Sequence, residues 1–136
     1  MKESVREMIK SQIEKSTEKL NAARTLCKEG FIDDTISRAY YSMFHATSAV
    51  LLSEEITVDS HSALKTMFGL YFIKTGKIKK EYGRWLNRLK DDRENGDYDI
   101  FTGFEKDDAR EAIKNALEFL NEMKRFLSKN YNIYCD

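Results

Sequence analysis

The sequence predicts an all-α protein, an antiparallel bundle of four to five helices. Three observations carry this. The 136 residues include no proline and only six glycines, so little in the chain breaks or loosens a helix. Apolar residues recur at spacings of three and four over five stretches. The breaks between those stretches are short, as connections between antiparallel neighbours are.

The first stretch runs from about Lys2 to Lys28, with Val5, Met8, Ile9, Ile13, Leu20, Ala23 and Cys27 on one side and Gly30 as its stop. The second covers 33–53. Asp33 or Asp34 suits its N-cap, and Ile36, Tyr40, Met43, Phe44, Thr47, Val50 and Leu51 form a broad apolar stripe. Tyr41, Ala49 and Leu52 lie opposite, which marks this helix as central or as part of an oligomer interface. The third stretch starts at Asp59 or Ser60 and ends at Gly76, with Leu64, Met67, Phe68, Tyr71 and Phe72 inward. The fourth starts near Lys77, buries Ile78, Tyr82, Trp85, Leu86 and Leu89, and frays at Asn95–Gly96. The loop GDYDIFTGF follows. The last helix spans about Glu105 to Asn130, acidic at its start and basic at its end, as the helix dipole favours.

The length suits one domain covering residues 1–136. Hydrophobic residues make up 41% of the chain, enough for a core, and 23 basic residues balance 23 acidic ones. Such a chain does not coat nucleic acid through net charge, so contact with RNA would need a local basic patch. No apolar run approaches the ~20 residues of a membrane span, and MKESVREMIKSQIEK lacks the apolar centre of a signal peptide. A cytoplasmic protein is expected, with no membrane association. Cys27 and Cys135 are expected to be free thiols.

Three constellations could carry chemistry. Arg38 and His45 are seven residues apart on the second helix and almost in line, flanked by Tyr41 and Ser42. A guanidinium can hold a phosphate and an imidazole can move the proton of a ribose 2′-hydroxyl, so the pair suits metal-free phosphodiester cleavage. The structural alternative is an Asp34–Arg38 helix ion pair with His45 hydrogen-bonded inside the bundle. After the fourth helix, RENGDYD offers Arg93 for a phosphate and Tyr98 for base stacking, or an Arg93–Asp97 tie across a loop. Between Lys74 and Arg93, the residues Lys77, Lys80, Arg84 and Arg88 follow helical spacing and can track an RNA backbone, or form a solvated face. His61 either belongs to the cap of the third helix or feeds a site near His45. Two histidines without a CxxC motif do not point to zinc, and Glu-x-x-His pairs for a di-iron centre are missing. No cofactor or metal is expected.

The segment SRAYYSMFHATSAVLL (37–52) resembles the signature of small prokaryotic HEPN-domain proteins. SHSALKTMFGLYFIKTGKI (60–78), RENGDYD (93–99) and a long final helix agree in order, so the resemblance covers nearly the whole chain. It implies a homodimeric helical bundle, partnered by a minimal nucleotidyltransferase in a toxin–antitoxin pair. It also implies metal-independent ribonuclease activity or nucleotide binding. The family motif is an Arg, four to six residues, then a His, and Arg38 and His45 match it with six between. In many family ribonucleases the motif sits on a later helix and ends His-x-Tyr. Here that helix carries Arg93, Asp97 and Tyr98 without a His. The alternative function is therefore a non-catalytic binding module for the nucleotidyltransferase.

Overall fold

The computed structural model describes residues 1–98 and 102–135, with Tyr98 described in its backbone alone. Five α-helices make up the described chain: α1 (Glu3–Lys28), α2 (Ile32–Ser53), α3 (His61–Phe68), α4 (Lys80–Tyr98) and α5 (Lys106–Tyr131). No strand occurs among the described residues.

The termini follow local chemistry. Gly30, at φ +85°, turns the chain back after α1. Asp33 does not cap α2. Its Oδ1 instead accepts a hydrogen bond from Thr102 Oγ1 at 3.1 Å, tying the start of α2 to the segment before α5. Ser60 caps α3 by accepting from Ala63 N at 3.0 Å. At the start of α5 the Glu105 amide donates to Asp108 Oδ2 at 2.8 Å, and Asn132 closes the far end in the left-handed region at φ +55°.

Two departures from the sequence expectation shape the surface around α2. The third helix does not run on as α-helix to Gly76. It passes at Gly69–Ile73 into a π-helical turn, closed by Lys74 N to Gly69 O at 2.8 Å. This turn carries Tyr71 outward, where 45% of its surface is exposed, and Phe72 fully inward. The fourth helix starts at Lys80 and does not fray at Asn95 but continues through Gly96 to Tyr98. Gly96 faces Asp33, which an added Cβ would meet at 3.5 Å, an ordinary contact, so α2 and α4 meet closely here without the space requiring a glycine.

Ser16–Ser42 and Gln12–His45 contacts show α1 running against α2. The Arg93–Tyr41 contact shows α4 doing the same, Lys77–Glu54 ties the segment before α4 to the end of α2, and α5 faces α2 across the core. Met43, Ala46, Ala49 and Val50 of α2 are all buried, with Phe68, Phe72, Phe119 and Met123 in the same core. Ala49 is thus covered within one chain, and the two-sided apolar character of α2 follows from its central place. One stripe of α2 stays uncovered or half-covered: Asp34, Arg38, Tyr41, His45, Ser48 and Leu52. The two cysteines are not disulfide-bonded. No helix among the described residues is long and apolar enough to cross a membrane.

Candidate functional site

The open stripe of α2 is the floor of the site. Its spacing of three and four keeps these side chains in one line while α1 and α4 cover the flanks. Arg38 is exposed and makes no hydrogen bond or ion pair with a described residue, so the Asp34–Arg38 pair does not form. His45 is half-buried, with Nδ1 2.8 Å from Gln12 Oε1 on α1. An amide oxygen only accepts, so Nδ1 carries the proton and the neutral ring turns a bare Nε2 outward. Burial and then the charges of Lys19 and Lys15 hold the His45 imidazole below its ordinary pKa. It is therefore neutral at pH 7, the state a general base needs.

Arg38 and His45 are two helical turns apart, about 10 Å along the axis. They do not touch one another. They can engage neighbouring groups of one extended ligand rather than the same oxygen. Ser42 does not line this stripe. It is fully buried in the α1–α2 seam, where Ser16 Oγ donates to its carbonyl at 2.7 Å and lies 3.1 Å from its Oγ. Its position one turn from Arg38 rotates it towards α1.

Tyr41 rotates the other way, towards α4. Its hydroxyl accepts from Arg93 Nη2 at 2.9 Å, and the Arg93 guanidinium carbon lies 5.2 Å from its ring centre. Arg93 Nε also lies 2.9 Å from Asp97 Oδ2, near enough for an ion pair though not aligned as a hydrogen bond. Through Tyr41, the Arg93–Asp97 pair joins the edge of the Arg38–His45 stripe. The side chain of Tyr98 lies outside the described residues.

His61 completes this cluster, and sequence reading did not resolve its place. Its ring stacks on Phe44 with centroids 4.5 Å apart, and Tyr40 Oη is 2.5 Å from its Nδ1. Burial, then Arg93 and Lys90, lowers its pKa as well. The one available signal was its place in the first turn of a helix following a run of aromatics.

The basic stripe does not act as one. Lys77 pairs with Glu54 at 2.5 Å, and Arg88 lies 3.9 Å from both Asp92 and Glu111. Lys80 and Arg84 remain unpaired among the described residues. With Lys65, Asn87 and Gly69 they line a cleft of about 580 Å³ between the π turn and α4. Lys65 lies one turn beyond His61 on α3, so this cleft opens next to the aromatic cluster. Among the described residues, no three His, Cys, Asp or Glu side chains gather as a metal set.

The family model for the HEPN domain matches residues 9–126. The chain is 32% identical over 113 residues to a UPF0332 protein of Thermotoga maritima, covering 83% of this chain and 86% of the relative. Two proteins of Methanocaldococcus jannaschii, each named "Putative toxin", are also similar. One is 37% identical over 119 residues, 87% of this chain and 81% of the relative. The other is 33% identical over 129 residues, 95% of this chain and 96% of the relative.

Proposed function

The chain belongs to the HEPN domain family, and from that premise we propose that it is a toxin-like protein that cleaves RNA without a metal ion. The observation that carries this reading is His45: a neutral imidazole oriented by Gln12, with Nε2 free on an open helix face beside the unpaired Arg38. In this mechanism Nε2 takes the proton of a ribose 2′-hydroxyl, whose oxygen attacks the adjacent phosphorus. Arg38 holds the charge that grows on a phosphate of the bound strand. Tyr41 and Arg93 form the wall towards α4. Lys80, Arg84 and Lys65 hold the backbone of the incoming strand in their cleft. The names of the two Methanocaldococcus relatives support the toxin role. A homodimer and a nucleotidyltransferase partner belong to the same proposal, and light scattering of the chain alone tests the first.

The test is cleavage of a single-stranded RNA in excess chelator. The wild-type protein should yield 2′,3′-cyclic phosphate ends. His45→Ala should lower the rate roughly 100-fold or more, the usual contribution of a general base. Arg38→Lys should also fail, because an ammonium lacks the guanidinium's two-pronged grip. Cleavage that survives in both folded variants, or that chelator removes, overturns the mechanism. The two-turn gap between Arg38 and His45 favours one second reading, a non-catalytic module that binds the nucleotidyltransferase through this face. Under that reading RNA is untouched and His45→Ala weakens the protein complex.

A further inference from the structure

Cleavage of a phosphodiester by an internal hydroxyl moves two protons. One leaves the 2′-hydroxyl, and another reaches the departing 5′-oxygen. His45 accounts for the first. We propose that His61 delivers the second, and that Tyr40 is its positioning residue. This rests on the proposed role of His45 as base and deepens it.

The chain has two histidines, and the fold brings both to one aromatic ring. Both pack on Phe44, whose ring centre lies 5.3 Å from that of His45 and 4.5 Å from that of His61. Those two distances keep the imidazole centres within 10 Å of one another. The two rings are anchored in opposite senses. Gln12 accepts from Nδ1 of His45 and leaves a lone pair facing outward. Tyr40 is fully buried, and burial pushes its hydroxyl far above the ordinary tyrosine pKa. It therefore keeps its proton and can donate to Nδ1 of neutral His61, in the tautomer whose Nε2 bears a hydrogen. When His61 takes a second proton, the Tyr40 oxygen accepts from Nδ1–H instead. The anchor thus holds the ring in both states that an acid passes through.

The groups facing His61 fit the task. Tyr40, Tyr41 and Phe44 pack on it from α2, while Arg93, Lys90 and Glu94 face it from α4. Lys90 is engaged by Glu94 at 2.8 Å, and Arg93 by Tyr41 and Asp97. Burial, and then the balance of cations over carboxylates, makes an imidazolium here release its proton readily.

The step closes without another reactant. Nε2 of His45 takes the 2′-hydroxyl proton, the O2′–P bond forms and the P–O5′ bond breaks. The 5′-oxygen takes the proton from Nε2 of protonated His61. The products are a 2′,3′-cyclic phosphate and a 5′-hydroxyl. His45 is left protonated and His61 neutral, and exchange with water resets both.

A plain structural role, in which His61 only pins α3 to α2, predicts a different outcome from one experiment. The His61→Asn variant keeps an oxygen near the place of Nδ1 to accept from Tyr40, but has no proton to give. Two substrates are compared, an RNA dinucleotide and a uridine 3′-(4-nitrophenyl phosphate), whose leaving group departs without protonation. His61→Asn should slow the dinucleotide roughly 100-fold in kcat and the aryl ester less than about 3-fold. The alkaline limb of the pH–rate profile should vanish with it. His45→Ala should slow both substrates alike. Tyr40→Phe, which leaves the imidazole in place, should slow the dinucleotide by about 10-fold and spare the aryl ester. Equal losses on the two substrates, or dinucleotide cleavage in His61→Asn within about 3-fold of wild type, overturn the role of His61 and leave that of His45 standing. A wild-type protein that cleaves neither substrate overturns both.

Discussion

Two basic clefts lie on the bundle, and they are built to opposite ends. One, of about 460 Å³, is lined by Lys77, Lys79, Arg125 and Lys129, but also by Glu54 and Glu122. There Lys77 pairs with Glu54, and Arg125 with Glu122. The other, of about 580 Å³, is lined by Lys65, Lys80 and Arg84 with no carboxylate. The first answers its own charge and the second leaves it for an external anion. In a chain with equal numbers of acids and bases, counting lysines therefore says little. The position of the carboxylates decides which surface attracts a phosphate backbone.

Charge reversal separates the two clefts most directly. The double variant Lys80→Glu/Arg84→Glu should weaken binding of a single-stranded RNA by at least about 10-fold at low salt and flatten the salt dependence by about two phosphate contacts. Lys79→Glu/Lys129→Glu, in the self-neutralised cleft, should change affinity by less than about 2-fold. Fluorescence anisotropy over a salt series measures both. Equal losses in the two variants would erase the distinction.

Acid sharpens the contrast. Burial, with nearby cations, lowers the pKa of His45 and of His61, and neither histidine lines the self-neutralised cleft. As pH falls through those lowered values, the open side gains positive charge, so RNA binding should tighten, while cleavage should rise to a maximum as His61 is protonated and then fall as His45 is protonated too. Stability moves with a definite sign. The unfolded chain takes up its histidine protons first, near pH 6.5, and the folded rings resist. The folded state should lose stability from there down through the lowered pKa values. Thermal melts at pH 7.5 and 5.5 measure this, and His45→Asn should show the shallower fall.

The smallest effect is expected from Glu54→Gln. It frees Lys77 and makes the closed cleft slightly more like the open one. An exposed pair of this kind contributes about 0–1 kcal/mol. The melting temperature should barely move, and RNA affinity should rise by less than about 2-fold. A larger gain would show that Glu54 masks a true binding surface.

Much of the fold and part of the site are legible in the residues. Helical spacing predicts the five helices, the central α2 and the line joining Arg38 to His45. Spacing alone cannot say which neighbour covers which flank. Ser42 and Tyr41 both border that line, yet α1 takes the serine into its seam and α4 draws the tyrosine to Arg93. The residues leave His61 between a cap and a site near His45 because its anchor, Tyr40, reads as an ordinary core aromatic, and the two are 21 residues apart. The Lys80–Arg84 cleft depends on the π turn, and KTMFGLYFIKTG carries no local mark separating a π turn from continued α-helix. Gly96 reads as a helix end because glycine weakens a helix, yet α4 runs through it to Tyr98.

That π turn bears on how the chain can change in length. It holds one residue more than an α-helix would need to join the same two ends. Deleting Gly69 would restore regular spacing with Lys65 and Phe72 still on their present faces, whereas inserting one more residue would turn them apart by about 100°. The cleft wall and the aromatic core could not then both keep their places. The helix that begins at His61 therefore has room to lose one residue at this turn but not to gain one.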